Sequence, residues 1–187
     1  MMASHSTTAA PDSTVKQIIA LILFVGIPLA VGFLGSMLTA DQIDGWYADA
    51  DKAAWTPPDA VFGPVWTVLY LLMGVGAWLV WRRRQSVNAT PALALFVVQL
   101  VLNSIWSPLF FGGFPIFGRA ALWAAFALIV VLIVAIALTI WRFRPISRVA
   151  AALLLPYLAW TLYASTLNFY LALMNGEMGL ALNLPLG

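Results

Sequence analysis

Residues Arg119 to Trp141 read RAALWAAFALIVVLIVAIALTIW. After the opening arginine there is no charge, proline or glycine until the run ends at Arg142. About 20 consecutive apolar residues are what a helix needs to cross the hydrocarbon core of a bilayer. The stretch shows no alternation of polar and apolar residues over roughly ten-residue segments, which excludes a strand of a membrane β-barrel. This run therefore reads as a transmembrane helix, and it sets the frame for the rest of the chain.

Four more runs of this kind flank it. They extend from about Val15 to Thr39, Val61 to Trp81, Ala92 to Phe111, and Ile146 to Met174. Each begins or ends at charge, proline or glycine. Residues Met1 to Thr14 are rich in Ser, Thr and Ala and read as a flexible polar tail. That tail lacks a basic leader, and the apolar run after it is too long for a signal-peptide core. Val15 to Asn175 reads as one transmembrane domain, and Gly176 to Gly187 as a short C-terminal tail. The expected fold is an all-α membrane protein, a five-helix bundle with an ordered long loop between its first two spans.

Composition agrees. Of 187 residues, 63% are hydrophobic and only 9% charged, against roughly a quarter charged in an ordinary soluble domain. The mean hydropathy is +0.96. A soluble domain of this length needs far more polar surface, so a soluble globular protein, a disordered chain and a nucleic-acid binder are all excluded. With no cysteine, disulfides, thiolate nucleophiles and iron–sulfur clusters are impossible. The single histidine, His5, lies in the polar tail, which leaves no buried Ser-His-Asp triad or His-ligated haem.

The charges orient the spans. With five of them, Lys16, Arg82, Arg83, Arg84, Arg142, Arg144 and Arg148 share one side, and Lys52 and Arg119 the other. This seven-to-two bias predicts a cytoplasmic N-terminus and an outer C-terminus. Asp41, Asp44, Asp49, Asp51, Asp59 and Glu177 make the outer side an acidic rim. No span carries an ionised residue near its middle, so no proton relay or coupling-ion site is visible.

The aromatic residues are only partly accounted for by interfacial belts. The connection from Thr39 to Ala60 holds Trp46, Tyr47, Trp55 and Thr56-Pro57-Pro58. It reads either as an anchor lying on headgroups or as a lid over a cavity between helix ends. In the second span Pro64 is placed in the first turn, and Trp66 and Tyr70 share a face. The third span carries Gln99, Asn103 and Ser107 as one stripe, with Trp106 and Phe110 beside it. These uncharged amides read equally as glue between helices or as ligand contacts. The fifth span presents Tyr157, Trp160, Ala164, Leu167 and Asn168 at helical spacing. Pro28, Pro108 and Pro156 are expected to interrupt spans one, three and five around an internal space. Gly26, Gly32, Gly35, Gly74 and Gly76 read as close helix packing, including a dimer face.

Ordered blocks of residues resemble the TspO/MBR family, the translocator proteins once called peripheral benzodiazepine receptors. The blocks are Trp46-Tyr47, Lys52-x-x-Trp55-x-Pro57-Pro58 and Gly63-Pro64-Val65-Trp66-x-x-Leu69-Tyr70. They continue with Gln99-Leu100-x-Leu102-Asn103-x-x-Trp106-x-Pro108-x-Phe110-Phe111-Gly112, Pro156-Tyr157-Leu158-Ala159-Trp160 and Ala164-x-Thr166-Leu167-Asn168. The resemblance covers roughly Gly26 to Asn175. It implies a bundle, commonly a homodimer, whose pocket is roofed by the first loop and binds porphyrins such as protoporphyrin IX, sterols and drug-like molecules.

Carried over by position, the ligand-binding residues are Trp46, Tyr47, Trp55, Pro57, Trp66, Asn103, Trp106, Trp160, Ala164, Leu167 and Asn168. The resemblance assigns Trp66 and Trp160 to porphyrin breakdown, where it occurs. It implies no covalent cofactor, a porphyrin as ligand, and a lipid bilayer and a second copy as partners. It also places the chain in a bacterial cell membrane. The chain departs from animal members at Leu167, Phe169 and Leu173, where their cholesterol-recognition stretch has Leu, Tyr and Arg. That departure argues against a sterol role. Three functions follow as expectations: a receptor or carrier for porphyrins, a light- and oxygen-dependent porphyrin-degrading activity, and a structural or regulatory membrane subunit.

Overall fold

The computed structural model describes residues 13–175. His5, Glu177, the C-terminal tail and all but the end of the N-terminal tail lie outside the described residues. Eight helices follow in order: α1 (Thr14–Ile43), α2 (Trp46–Asp49), α3 (Asp59–Trp81), α4 (Thr90–Ser107), α5 (Phe114–Phe117), α6 (Arg119–Phe143), α7 (Arg148–Leu153) and α8 (Leu155–Met174). A π-helical turn, Pro108–Gly112, continues α4. There is no strand among the described residues. Five segments are long and apolar enough to cross a membrane: α1, α3, α4 with its π-turn, α6, and α7 with α8.

The breaks follow from local chemistry. Proline lacks the N–H that an α-helix needs at its interior positions. At Pro108 the chain adopts a wider turn, closed by the Gly113 N–H donating to the Pro108 carbonyl at 3.1 Å. Pro156 lies in the first turn of α8, and the helix axis breaks just before it at Leu154. Pro28 behaves differently from expectation: α1 runs through it unbroken and continues past Thr39 to Ile43. The carbonyl it deprives of a helical donor is that of Phe24. The long connection is correspondingly shorter than the sequence suggests and contains α2. Because α3 starts at Asp59, Pro64 falls in its second turn and not its first. Gly118, at φ 57° and ψ −138°, sets the sharp entry to α6 in a backbone region that favours glycine.

The helices close into a ring. α1 packs on α3, α3 on α7 and α8, α8 on α6, α6 on α4, and α4 back on α1. At the end bearing the arginines the ring is filled solid. Met73, Ala77, Val80, Phe143, Ala150, Leu154 and Tyr157 are fully buried there. Glycines bring the backbones together: a Cβ on Gly74 would stand 2.5 Å from the Phe24 carbonyl oxygen and 2.8 Å from Val25 Cα. The hydrogen that Gly74 carries in that place faces the carbonyl freed by Pro28, a Cα–H···O approach. Gly76 packs equally closely on Leu154 and Ala150, and the Tyr70 ring covers Gly32. These three glycines serve close packing inside the chain, whereas Gly26 and Gly35 have open space beside them. The outward faces are apolar, with Ile22, Phe33, Leu38, Val131 and Val134 all more than half exposed, as lipid contact requires.

Candidate functional site

Toward the opposite end, which carries the long loop, the ring opens into a cavity of about 500 Å³. Its floor is a hydrogen-bonded bridge across three helices. The Tyr70 hydroxyl donates to Asn103 Oδ1 at 2.8 Å, and Asn103 Nδ2 donates to the Tyr157 hydroxyl at 3.1 Å. Eleven residues further along α8, Asn168 makes a second cross-link. Its Oδ1 accepts from Trp106 Nε1 at 3.3 Å, and its Nδ2 donates to the Leu122 carbonyl at 3.0 Å. Both amides line the cavity, yet their donors and acceptors are engaged within the protein. Asn103, one of the third-span amides, thus bonds helix to helix while also lining the cavity.

The walls are aromatic. Trp66 stacks on Tyr70 with centroids 5.5 Å apart, and Trp106 stacks on Phe110 at 5.0 Å. Trp160 stands on the facing wall beside Phe62, 5.8 Å away. Its indole Nε1 is buried and has no hydrogen-bond partner. A buried N–H without an acceptor is costly, roughly 1–3 kcal/mol. It is a wall N–H left without an acceptor inside the bundle. Gln99, one turn below Asn103, is fully buried with neither amide atom partnered, but it stands outside the lining.

The roof is the long loop, and it is fastened at several points. Trp46 Nε1 donates to the Phe111 carbonyl at 2.9 Å, and its ring lies 4.0 Å from that of Phe114. The π-turn presents that carbonyl, so the widened helix end and the loop tryptophan form one joint. Asn175 clasps the loop from the end of α8: its Oδ1 accepts from the Asp51 N–H at 2.8 Å, and its Nδ2 donates to the Asp51 carbonyl at 3.1 Å. Trp55 Nε1 donates to Thr166 Oγ1 at 3.3 Å, and the Tyr163 hydroxyl donates to the Trp55 carbonyl. Tyr47 hangs from the roof into the cavity, with Lys52 Nζ 4.4 Å from its ring centroid. Burial, and then the nearby Asp59 carboxylate, push its hydroxyl up to about 12, so it remains a neutral donor at any ordinary pH.

Of the residues singled out from sequence, Tyr47, Trp66, Asn103, Trp106, Trp160, Ala164, Leu167 and Asn168 come together around the cavity. Trp46 is buried in the roof joint, Trp55 lies half exposed on α8, and Pro57 precedes α3; none of the three is among the lining residues. Sequence reasoning assigned no residue of α1 to the site, having singled out Gly32 and Gly35 only for helix packing. Leu29, Gly32, Phe33, Gly35, Ser36, Thr39 and Ile43 form one wall, and that mostly apolar run carries no aromatic or amide pattern to mark them. Phe169 packs on Phe126 and Trp123, at 5.2 and 5.7 Å, on the outside of the bundle.

Residues 24–174 match the model of the TspO/MBR family. The "Tryptophan-rich protein TspO" of Archaeoglobus fulgidus is 41% identical over 162 residues, 86% of this chain and 98% of its own length. The "Translocator protein" of Homo sapiens is 40% identical over 139 residues, 73% of this chain and 79% of its own. The "Tryptophan-rich sensory protein" of Cereibacter sphaeroides is 36% identical over 141 residues, 75% of this chain and 82% of its own.

Proposed function

Because this chain belongs to the TspO/MBR family and is an integral, multi-pass membrane protein, we propose that it is a receptor or carrier for porphyrins and related flat hydrophobic ligands. The observation that carries this reading is the cavity: about 500 Å³, walled by Trp66, Trp106 and Trp160, with the Trp160 N–H lacking a partner. Ligand sites commonly span about 300–1,000 Å³ and combine apolar walls with a few placed polar groups. A macrocycle stacks on indole faces, and the Trp160 N–H meets one of its acceptors. In this reading the arginine end faces the cytoplasm of a bacterial cell and the roof faces outward, an orientation that the seven-to-two distribution of basic residues supports. The chain assembles as a homodimer, which cross-linking in native membranes would detect.

The test is a titration of the purified protein with protoporphyrin IX, followed by quenching of tryptophan fluorescence. Trp66→Phe together with Trp160→Phe is expected to weaken binding about tenfold, or about 1.4 kcal/mol, through lost ring area and the lost N–H. Unchanged affinity and quenching would overturn the site assignment.

A second reading is favoured by the placement of Trp66 and Trp160 on one cavity. In it the bound porphyrin is broken down in light and oxygen, with the reactive species arising from the ligand. The lining holds no histidine, cysteine or lysine, and its carboxylate, Asp59, is exposed at the rim. Illumination of the complex in air would then give a new absorbing product, and the double Trp variant would not. A product formed equally by both would sink that idea.

A further inference from the structure

We propose that the cavity is loaded sideways from the bilayer, through a gap between the roof-side halves of α1 and α3 bounded by Gly35, Ser36, Gly63 and Thr67. The proposal rests on the reading of the cavity as a ligand site. It deepens that reading by naming the ligand as one dissolved in the membrane.

The seam between α1 and α3 is graded along its length. At Gly74 backbone meets backbone, and at Gly32 the Tyr70 ring fills the place of a side chain. Nearer the roof, a Cβ on either Gly35 or Gly63 would have no atom of a neighbouring element within 4 Å, although both residues line the cavity. Phe33, Ser36, Gly63 and Thr67 are at once cavity-lining and exposed, as residues at the edge of an opening are. Gly63 lies four residues inside α3 and Phe33 ten residues before the end of α1, so the opening sits roughly 6–15 Å below the helix ends at 1.5 Å per residue. At that level the outward residues Phe33, Leu34, Met37 and Val68 are apolar and exposed, a surface suited to lipid contact.

The alternative way in is through the roof, and two observations oppose it. The roof is held by hydrogen bonds from Trp46, Trp55 and Asn175, all of which would have to open. Its surroundings also carry Asp41, Asp44, Asp49, Asp51 and Asp59, which repel any ligand bearing carboxylates as it approaches from water. The gap in the seam needs none of those hydrogen bonds to open, and of the five carboxylates Asp59, one turn before Gly63, is the one in the cavity lining.

The absence of cysteine permits a test that does not depend on the ligand. In proteoliposomes carrying Ala164→Cys, the rate of modification at the cavity wall is measured with N-ethylmaleimide, which enters the bilayer, and with a sulfonated thiosulfonate, which stays in water. Fast modification by the first and slow modification by the second is expected. Adding Gly35→Leu and Gly63→Leu, for which the structure has room, should slow the maleimide about tenfold and leave the sulfonated reagent unchanged. The same leucines should slow protoporphyrin IX association by a similar factor. Asn175→Ala, which removes the roof's clasp on Asp51, should alter neither maleimide rate nor association rate. Equal modification by both reagents, indifference to the leucines, or a tenfold acceleration by Asn175→Ala would overturn the side entrance. If the thiol rates behave as expected and protoporphyrin IX does not bind, the porphyrin reading fails and the entrance stands.

Discussion

The two ends of the bundle are built from the same helices and treat space in opposite ways. At the arginine end Met73, Ala77, Val80, Phe143 and Leu154 leave no room, and glycines bring α3 onto α1 and α7. At the roof end the same α1 and α3 stand apart, and aromatic rings line the space between them. The Tyr70–Asn103–Tyr157 bridge separates the two regimes. A dense end anchors the helix directions, and that rigidity lets the other end hold an empty volume without collapsing. Glycine serves both purposes: where a neighbour fills the missing side chain it tightens the seam, and where none does it leaves a gap.

The contrast can be broken most severely at Gly74. Gly74→Leu places carbon against the Phe24 backbone and is expected to lower stability by about 3 kcal/mol or prevent folding, the upper range for overpacking. Gly63→Leu, chemically the same change, should leave the unfolding midpoint in detergent within a degree or two. Similar losses for both would show that the two halves of the seam do not differ. Next in size is Asn103→Leu, which strips the floor and leaves two buried tyrosine hydroxyls without their partner. About 1–2 kcal/mol of thermal stability should be lost. Smaller still, Asn175→Ala should leave global unfolding nearly unchanged while amide exchange at Asp51 accelerates about tenfold, corresponding to about 1.4 kcal/mol of local protection.

The smallest effect at neutral pH concerns Tyr47. Its hydroxyl ionises near 12 in the folded roof and near 10.0 when released. The unfolded form therefore loses its proton first as pH rises. Roof closure is unaffected below pH 10, weakens between 10 and 12, and Tyr47→Phe should abolish that dependence as read by amide exchange in the loop.

The five spans were legible because their length and apolarity are sufficient conditions, and runs such as Arg119 to Trp141 admit no other solvent. The aromatic faces of α3, α4 and α8 were legible from helical spacing, which brought Trp66 together with Tyr70 and Asn103 with Trp106. Three things were not. Proline has several outcomes, and packing decides among them: Pro28 is absorbed in an unbroken helix, where the Phe24 carbonyl it frees faces Gly74, while Pro108 widens a turn. The partners of Asn103 and Asn168 lie 33 to 62 residues away, beyond any local pattern. The distinction between Gly32 and Gly35, one covered and the other open, depends wholly on what stands opposite.

Asn175 ends α8 and grips the loop that covers the cavity. A pull applied there reaches the roof directly through the bonds to Asp51. Position 175 is thus a natural attachment point for a tether in a force measurement. Tension along α8 would load the two bonds to Asp51 in parallel, and their joint rupture would register as a single step that reports the roof letting go.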